Sequence, residues 1–212
     1  LFRSRALGHD VELDTGALRS QQRFAGTDAE RVEAIDRACA SQADIALISR
    51  GGYGLTRILP SLHYKRIAKA IERGTRFMGL SDFTAFQAAV LAQTGSSTWA
   101  GPALGEDFGA DVVDDIMQAC FEDVLLGQGE GVGWRLSSST QQAYSQRKSG
   151  TWAWDGVLWG GNLAVLVSLL GTPYFPSVNR GVLFLEDIAE HPYRIERMLT
   201  DRKSTRLNSS HT

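Results

Sequence analysis

Thr75-Arg76-Phe77-Met78-Gly79-Leu80-Ser81-Asp82-Phe83-Thr84-Ala85-Phe86 is the stretch that decides how this 212-residue chain is read. Thr75 to Met78 is short, apolar and bounded by glycine, which predicts a buried strand. Gly79-Leu80-Ser81-Asp82 follows as a turn, and Phe83, Phe86 and Val90 then recur on one side of a helix. A strand feeding a helix through so short a turn is the repeating unit of an open α/β sheet with helices on both faces. A serine at that junction stands above the carboxyl edge of the sheet, where open α/β sheets bind their ligands.

Upstream the same alternation appears. Thr27-Asp28-Ala29-Glu30 reads as a capping box, and Val32, Ile35, Ala38 and Cys39 follow at helical spacing. Asp44 to Ser49 is a second β-rich run, which leads into Arg50-Gly51-Gly52-Tyr53-Gly54. A helix is predicted from Tyr64 to Arg73, with Gly74 as its stop. Downstream, Val113, Ile116, Met117, Cys120 and Val124 predict a helix over Asp111 to Leu126 with one apolar face. From Gly127 to Gly150 the sequence turns to Gly, Ser and Gln, as in a connector. Then come the apolar segment Gly160 to Leu170, a turn at Gly171-Thr172-Pro173, a strand from Gly181 to Glu186, and a helix opening at Pro192. The organisation predicted is an N-terminal α/β domain over residues 1–126, a linker over 127–155 and part of a C-terminal domain over 156–200. The chain begins at Leu1 without an initiator Met, and Arg202 to Thr212 looks like translated adapter readthrough. The expectation is therefore a piece truncated at both ends, with residues 201–212 non-native.

Composition excludes several classes. The chain is 43% hydrophobic and 22% charged, with a formal net charge of -2 and no basic stripe, which argues against a nucleic-acid partner. Its longest apolar run, Leu163 to Leu170, is too short to span a bilayer. Cys39 and Cys120 are too few and too far apart for a disulfide framework or a zinc site, and are read as reduced core cysteines on apolar helix faces. No histidine pair has metal-ligand spacing, so no metal is predicted.

Three places could carry chemistry. Ser81 follows the logic of a nucleophile elbow, although Phe83 stands where the second glycine of G-x-S-x-G would be. The bland alternative is that Ser81 only caps the helix that follows. The glycines of Arg50-Gly51-Gly52-Tyr53-Gly54 expose successive N–H groups that suit an oxyanion or a phosphate, or they make a plain tight turn. Glu186 ends an apolar strand, where a carboxylate usually has a partner, and a carboxylate there can orient a histidine. His9, His63, His191 and His211 are the only histidines, and none is convincing as the general base a serine hydrolase needs.

Taken in order, Arg50-Gly51-Gly52-Tyr53-Gly54 with Arg57-Ile58-Leu59-Pro60, then Gly79-Leu80-Ser81-Asp82-Phe83-Thr84-Ala85, resemble the LD-carboxypeptidases. Leu158-Trp159-Gly160-Gly161-Asn162-Leu163, Gly171-Thr172-Pro173-Tyr174, Phe184-Leu185-Glu186-Asp187 and Glu190 to Leu199 continue the resemblance, which runs from about Leu7 to Leu199. It implies a flavodoxin-like, or class I glutamine-amidotransferase-like, N-terminal domain followed by the start of a smaller β-rich C-terminal domain. It further implies a Ser-Glu-His triad, with Ser81 as nucleophile, Glu186 as the acid orienting the histidine, and the N–H groups of Gly52 and Asp82 as oxyanion hole. The family's histidine lies in a later Gly-His segment that nothing in this sequence matches, so the chain by itself is expected to be inactive. Arg50 is a candidate for binding a substrate carboxylate. The implied substrate is a murein tetrapeptide or muropeptide, cleaved in the cytoplasm without metal or cofactor during peptidoglycan recycling. A homodimer is left open. Three alternatives remain: a microcin-immunity-type peptidase of the same family, a non-catalytic flavodoxin-like module binding phosphate at Gly51-Gly52-Tyr53-Gly54, and the remnant product of a truly truncated gene.

Overall fold

Short β-prone runs separated by amphipathic segments fold as alternating strands and helices. The computed structural model describes residues 8–129, 135–145 and 155–200. Its elements are α1 (Asp28–Ala40), β1 (Ile45–Leu47), α2 (Tyr64–Glu72), β2 (Arg76–Gly79), α3 (Thr84–Thr94), β3 (Trp99–Ala100), α4 (Asp115–Leu126), α5 (Ser138–Ser145), β4 (Val157–Asn162), α6 (Leu163–Ser168), β5 (Gly181–Glu186) and α7 (Pro192–Thr200). Single 3-10 turns at Leu55–Arg57, Leu59–Ser61 and Ser81–Phe83, and a π-helical turn at Leu104–Phe108, occupy the connections. The tail read as non-native lies outside the described residues.

Strands β1, β2 and β3 form a parallel sheet in that order, with Ala46 opposite Phe77 and Met78 opposite Trp99. Parallel neighbours need crossover connections, which α2 and α3 supply. Strands β4 and β5 make a second parallel pair, from Val157 opposite Gly181 to Asn162 opposite Glu186, with α6 inside its crossover. The α/β class expected from the sequence is the one found.

Helix starts follow their capping chemistry. The capping box forms: the Thr27 hydroxyl accepts the Glu30 N–H at 3.2 Å, and the Glu30 carboxylate accepts the Thr27 N–H at 2.8 Å. Helix α4 begins at Asp115 rather than Asp111 because the Asp114 carboxylate accepts the Met117 N–H at 2.7 Å and sets the cap there.

The core centres on α3. Ala85, Phe86, Ala88, Ala89 and Val90 are all buried, so this helix is covered well beyond the single face its sequence predicted. Phe77 of β2 packs on it from the first sheet, with ring centroids 5.6 Å from Phe86. Leu166 and Leu169 belong to the same buried cluster, with Leu183 and Leu185 packed against it. The two sheets therefore share one core. Polar ties reinforce it: Gln87 donates to the Trp99 carbonyl at 2.8 Å, and Gln93 donates to the Pro173 carbonyl at 2.6 Å.

Helix α4 departs from expectation. Its spacing predicted a buried apolar face, yet none of its residues is buried and Ile116 is 75% exposed. Amphipathic spacing states which side could be covered, and here Phe121 meets Phe108 edge-on, with ring centroids 5.0 Å apart, and stays half-buried. Cys120, read as a core cysteine, is consequently half-buried, whereas Cys39 is buried as expected; both are free thiols. Leu158, Val182 and Phe184 likewise stand exposed on the second sheet. Among the described residues no helix is long and apolar enough to cross a membrane.

Thr27→Ala removes the side-chain half of the capping box and is expected to lower the unfolding free energy by about 1 kcal/mol, measured by urea denaturation. Burial pushes the Cys39 thiol up to about 11, so in the folded chain Cys39 should resist a disulfide reagent at pH 8 while Cys120 reacts. Equal reactivity of the two thiols before unfolding would contradict this packing.

Candidate active site

Strand β2 ends at Gly79, Leu80 is extended, and the chain reverses into the Ser81–Phe83 turn that opens α3. Ser81 takes φ of +59°, in the left-handed region. For a residue with a Cβ this costs about 1–3 kcal/mol and persists only where the surroundings enforce it. Gln22, Gln42, Asp155, Arg180 and Ala189 also have positive φ, but they lie in loops outside the helices and strands, whereas Ser81 joins a strand directly to a helix.

The enforcing contacts are visible. Phe83, which replaces the second glycine of the usual elbow, is buried and stacks on Phe86 with centroids 4.8 Å apart. Its ring lies so close over Gly79 that a Cβ there would come within 2.7 Å of it. The helix thus approaches the strand end through the first glycine of the motif, and the bulky residue fills the position of the second.

The capping alternative for Ser81 is not what the structure shows. The cap positions of the Ser81–Phe83 turn and of α3 are Leu80 and Phe83, and among the described residues no backbone N–H donates to the Ser81 hydroxyl. Ser81 is half-buried beneath the glycine turn that follows β1, and a Cβ on Gly51 would lie 3.1 Å from its Cβ and 3.3 Å from its Oγ. Gly51 and Ser81 thus meet at the carboxyl ends of adjacent strands.

Gly52 is exposed, with φ of +148°. The Asp82 N–H lies in the first turn of its helix, where no intrahelical acceptor precedes it. The Asp82 carboxylate has a task its sequence position did not suggest. It is buried and accepts the Leu55 N–H at 2.9 Å, tying the glycine turn to the serine turn. Glu106 was not among the residues singled out by sequence. This residue of the π-helical turn accepts the Gly51 N–H at 3.0 Å and stands 3.6 Å from the Arg50 guanidinium. It lies in an irregular stretch with no period and no motif, so nothing in the sequence marked it. Arg50 itself is exposed, and among the described residues that long contact is its one ion pair.

Glu186 is not brought into contact with Ser81. It is the last residue of β5, half-buried, opposite Asn162. Asn162 is anchored to the serine's helix, because its N–H donates to the Thr84 hydroxyl at 3.0 Å. Among the described residues the Glu186 side chain has neither hydrogen bond nor ion pair, contrary to the partner its setting predicted. The histidines are engaged elsewhere: His63 faces Asp36 at 2.8 Å, His191 stacks on Tyr193, and His9 is exposed. His211 lies outside the described residues. No group of three metal-ligating side chains is found among the described residues.

Comparison with known proteins bears on this arrangement. The profile of the LD-carboxypeptidase N-terminal domain matches residues 2–101, and that of the LD-carboxypeptidase C-terminal domain matches residues 155–209. The probable murein peptide carboxypeptidase of Bacillus subtilis is 33% identical over 199 residues, covering 93% of this chain and 59% of its own length. The microcin C7 self-immunity protein MccF of Escherichia coli is 26% identical, with 92% of this chain and 63% of that protein covered. The crystal structure of muramoyltetrapeptide carboxypeptidase from Oxalobacter formigenes superposes with a TM-score of 0.77 at 31% identity, covering 99% of this chain and 65% of the other. The chain thus spans about 60% of the length of the relatives it matches. With both domain profiles matched in order, and a strained serine turn where β2 meets α3, the chain belongs to the LD-carboxypeptidase family.

Proposed function

We propose that the complete protein is a serine LD-carboxypeptidase that releases the terminal D-alanine from murein tetrapeptides, in the cytoplasm, as part of peptidoglycan recycling. The observation that carries this reading is Ser81: left-handed, uncapped, half-buried and packed beneath Gly51 at the carboxyl edge of the sheet. Strain stored at a serine that caps nothing is intelligible if the hydroxyl has chemical work to do.

In this mechanism the Ser81 Oγ attacks the carbonyl that joins a diamino acid, meso-diaminopimelate or L-lysine, to D-alanine. A histidine takes the hydroxyl proton and returns it to the departing amine of D-alanine. The N–H groups of Gly52 and Asp82 hold the tetrahedral oxyanion, and water then releases the tripeptide from the acyl-serine. Glu186 orients the histidine, and Arg50 receives the substrate's terminal carboxylate. The family resemblance assigns the histidine to a later Gly-His segment of the C-terminal domain; among the described residues no histidine hydrogen-bonds to Ser81 or Glu186. Residues 1–126 carry the nucleophile, residues 127–155 link, and residues 156–200 bring Glu186.

The test uses the product of the complete reading frame, recovered from source DNA and assayed for D-alanine release from a murein tetrapeptide. Ser81→Ala is expected to lower kcat by about a thousandfold or more, and Glu186→Gln by about a hundredfold or more. An unchanged rate in Ser81→Ala would remove the nucleophile assignment. Arg50→Ala should raise KM about tenfold with kcat retained, the signature of lost ground-state binding. The 212-residue chain alone should release no D-alanine. Preferential cleavage of an aminoacyl-sulfamoyl adenosine would place the protein with the microcin-immunity peptidases instead.

A further inference from the structure

Two adjacent glycines carry the donor that the proposed mechanism requires, and glycine is the residue least able to hold its own backbone in place. Gly52 has no side chain to pack, is exposed, and sits at φ of +148°. Its direction must be set by the residues on either side. After it, the Leu55 N–H is held by the Asp82 carboxylate at 2.9 Å, and Gly54 is pressed so closely against the Phe24 ring that a Cβ would overlap it. Before it, the hold on the Gly51 N–H is the Glu106 carboxylate, at 3.0 Å.

The backbone that carries Glu106 is itself fixed to the end of β1. The Leu104 N–H donates to the Ile48 carbonyl at 2.9 Å and the Gly105 N–H to the Ser49 carbonyl at 2.7 Å. A Cβ on Gly105 would lie 2.7 Å from that same Ser49 oxygen, so the approach is available only to glycine. The Asp107 carboxylate accepts the Ala103 N–H at 2.6 Å, and Phe108 is buried beyond it. The strand that delivers Arg50 and Gly51 thus also carries the platform for Glu106. A Cβ on Gly51 would lie 3.3 Å from Ser81 Oγ and 3.6 Å from Glu106 Oε2, which places the anchor next to the reacting hydroxyl.

We infer that Glu106 is a positioning residue: by accepting the Gly51 N–H it fixes the glycine turn so that the Gly52 N–H is aimed at the oxyanion formed on Ser81. The inference rests on the peptidase reading for its catalytic consequence, and its structural half is read independently of turnover. The role needs an acceptor and not a charge, so an amide in its place suffices.

Glu106→Ala and Glu106→Gln are compared with the wild type in the product of the complete reading frame. In Glu106→Ala, kcat for D-alanine release should fall roughly ten- to hundredfold with KM within about twofold, since misplacing an oxyanion donor costs less than removing it. Glu106→Gln should restore kcat to within about threefold of the wild type, in keeping with a role as acceptor. Amide hydrogen exchange at Gly51 should quicken at least about tenfold in the alanine variant and not in the glutamine variant. Thermal unfolding midpoints separate this effect from general destabilisation, and the half-exposed Glu106 side chain leaves the fold little dependent on it. An alanine variant with wild-type kcat and wild-type exchange overturns the inference. So does a glutamine variant whose KM rises with kcat intact, because that marks a charge acting on substrate binding, directly or through Arg50, and not an acceptor that aims the oxyanion donor. A wild type that releases no D-alanine but shows the expected exchange pattern counts against the peptidase reading, while the anchoring of the turn stands.

Discussion

Helix α3 is apolar around most of its circumference, and a helix of that kind has to be covered on most sides. The sheet β1–β2–β3 supplies one cover through Phe77, and α6 with the strands of the second sheet supplies another through Leu166, Leu169, Leu183 and Leu185. Burying a large apolar side chain contributes about 1.5–3 kcal/mol, and α3 with its neighbours buries several. Everything at the site depends on this arrangement. Once the helix is wedged between two sheets, its first turn has one location available, directly above the carboxyl end of β2, and the chain must reach it within two residues of Gly79.

That short reach is the origin of the strain at Ser81. The left-handed φ is unfavourable locally and is offset by packing that would be lost if it relaxed: the ring of Phe83 over Gly79, and Phe86 fully buried behind it. The same constraint sets the hydroxyl beneath Gly51 and keeps it out of a capping role.

The second sheet docks directly on the helix that follows Ser81. Asn162 donates its N–H to Thr84, three residues past Ser81, and Glu186 lies opposite Asn162 on the neighbouring strand. A carboxylate from a distant part of the chain is thereby tied to the serine's helix through its neighbouring strand, with its side chain uncommitted among the described residues. The glycine turn is braced from two directions by carboxylates, Asp82 on Leu55 and Glu106 on Gly51.

Local chemistry was legible in the residues themselves. The capping box at Thr27, the strand from Gly181 to Glu186 and the strand-turn-helix unit around Ser81 follow from patterns that involve only near neighbours in the chain, so the sequence by itself determined the α/β class and the serine turn. The motif order then pointed to the family. What lies far apart in sequence was decided by the tertiary structure alone. The spacing of α4 said which face was apolar but not whether anything covers it, and so Cys120 is half-buried where a core residue was expected. Glu106 sits in an irregular loop 55 residues from the amide it holds, and the Asp82 carboxylate reaches across 27 residues to Leu55. Such pairings have no period and no motif, because they are set by where the sheet brings loop ends together; a single chain of letters does not contain that distance.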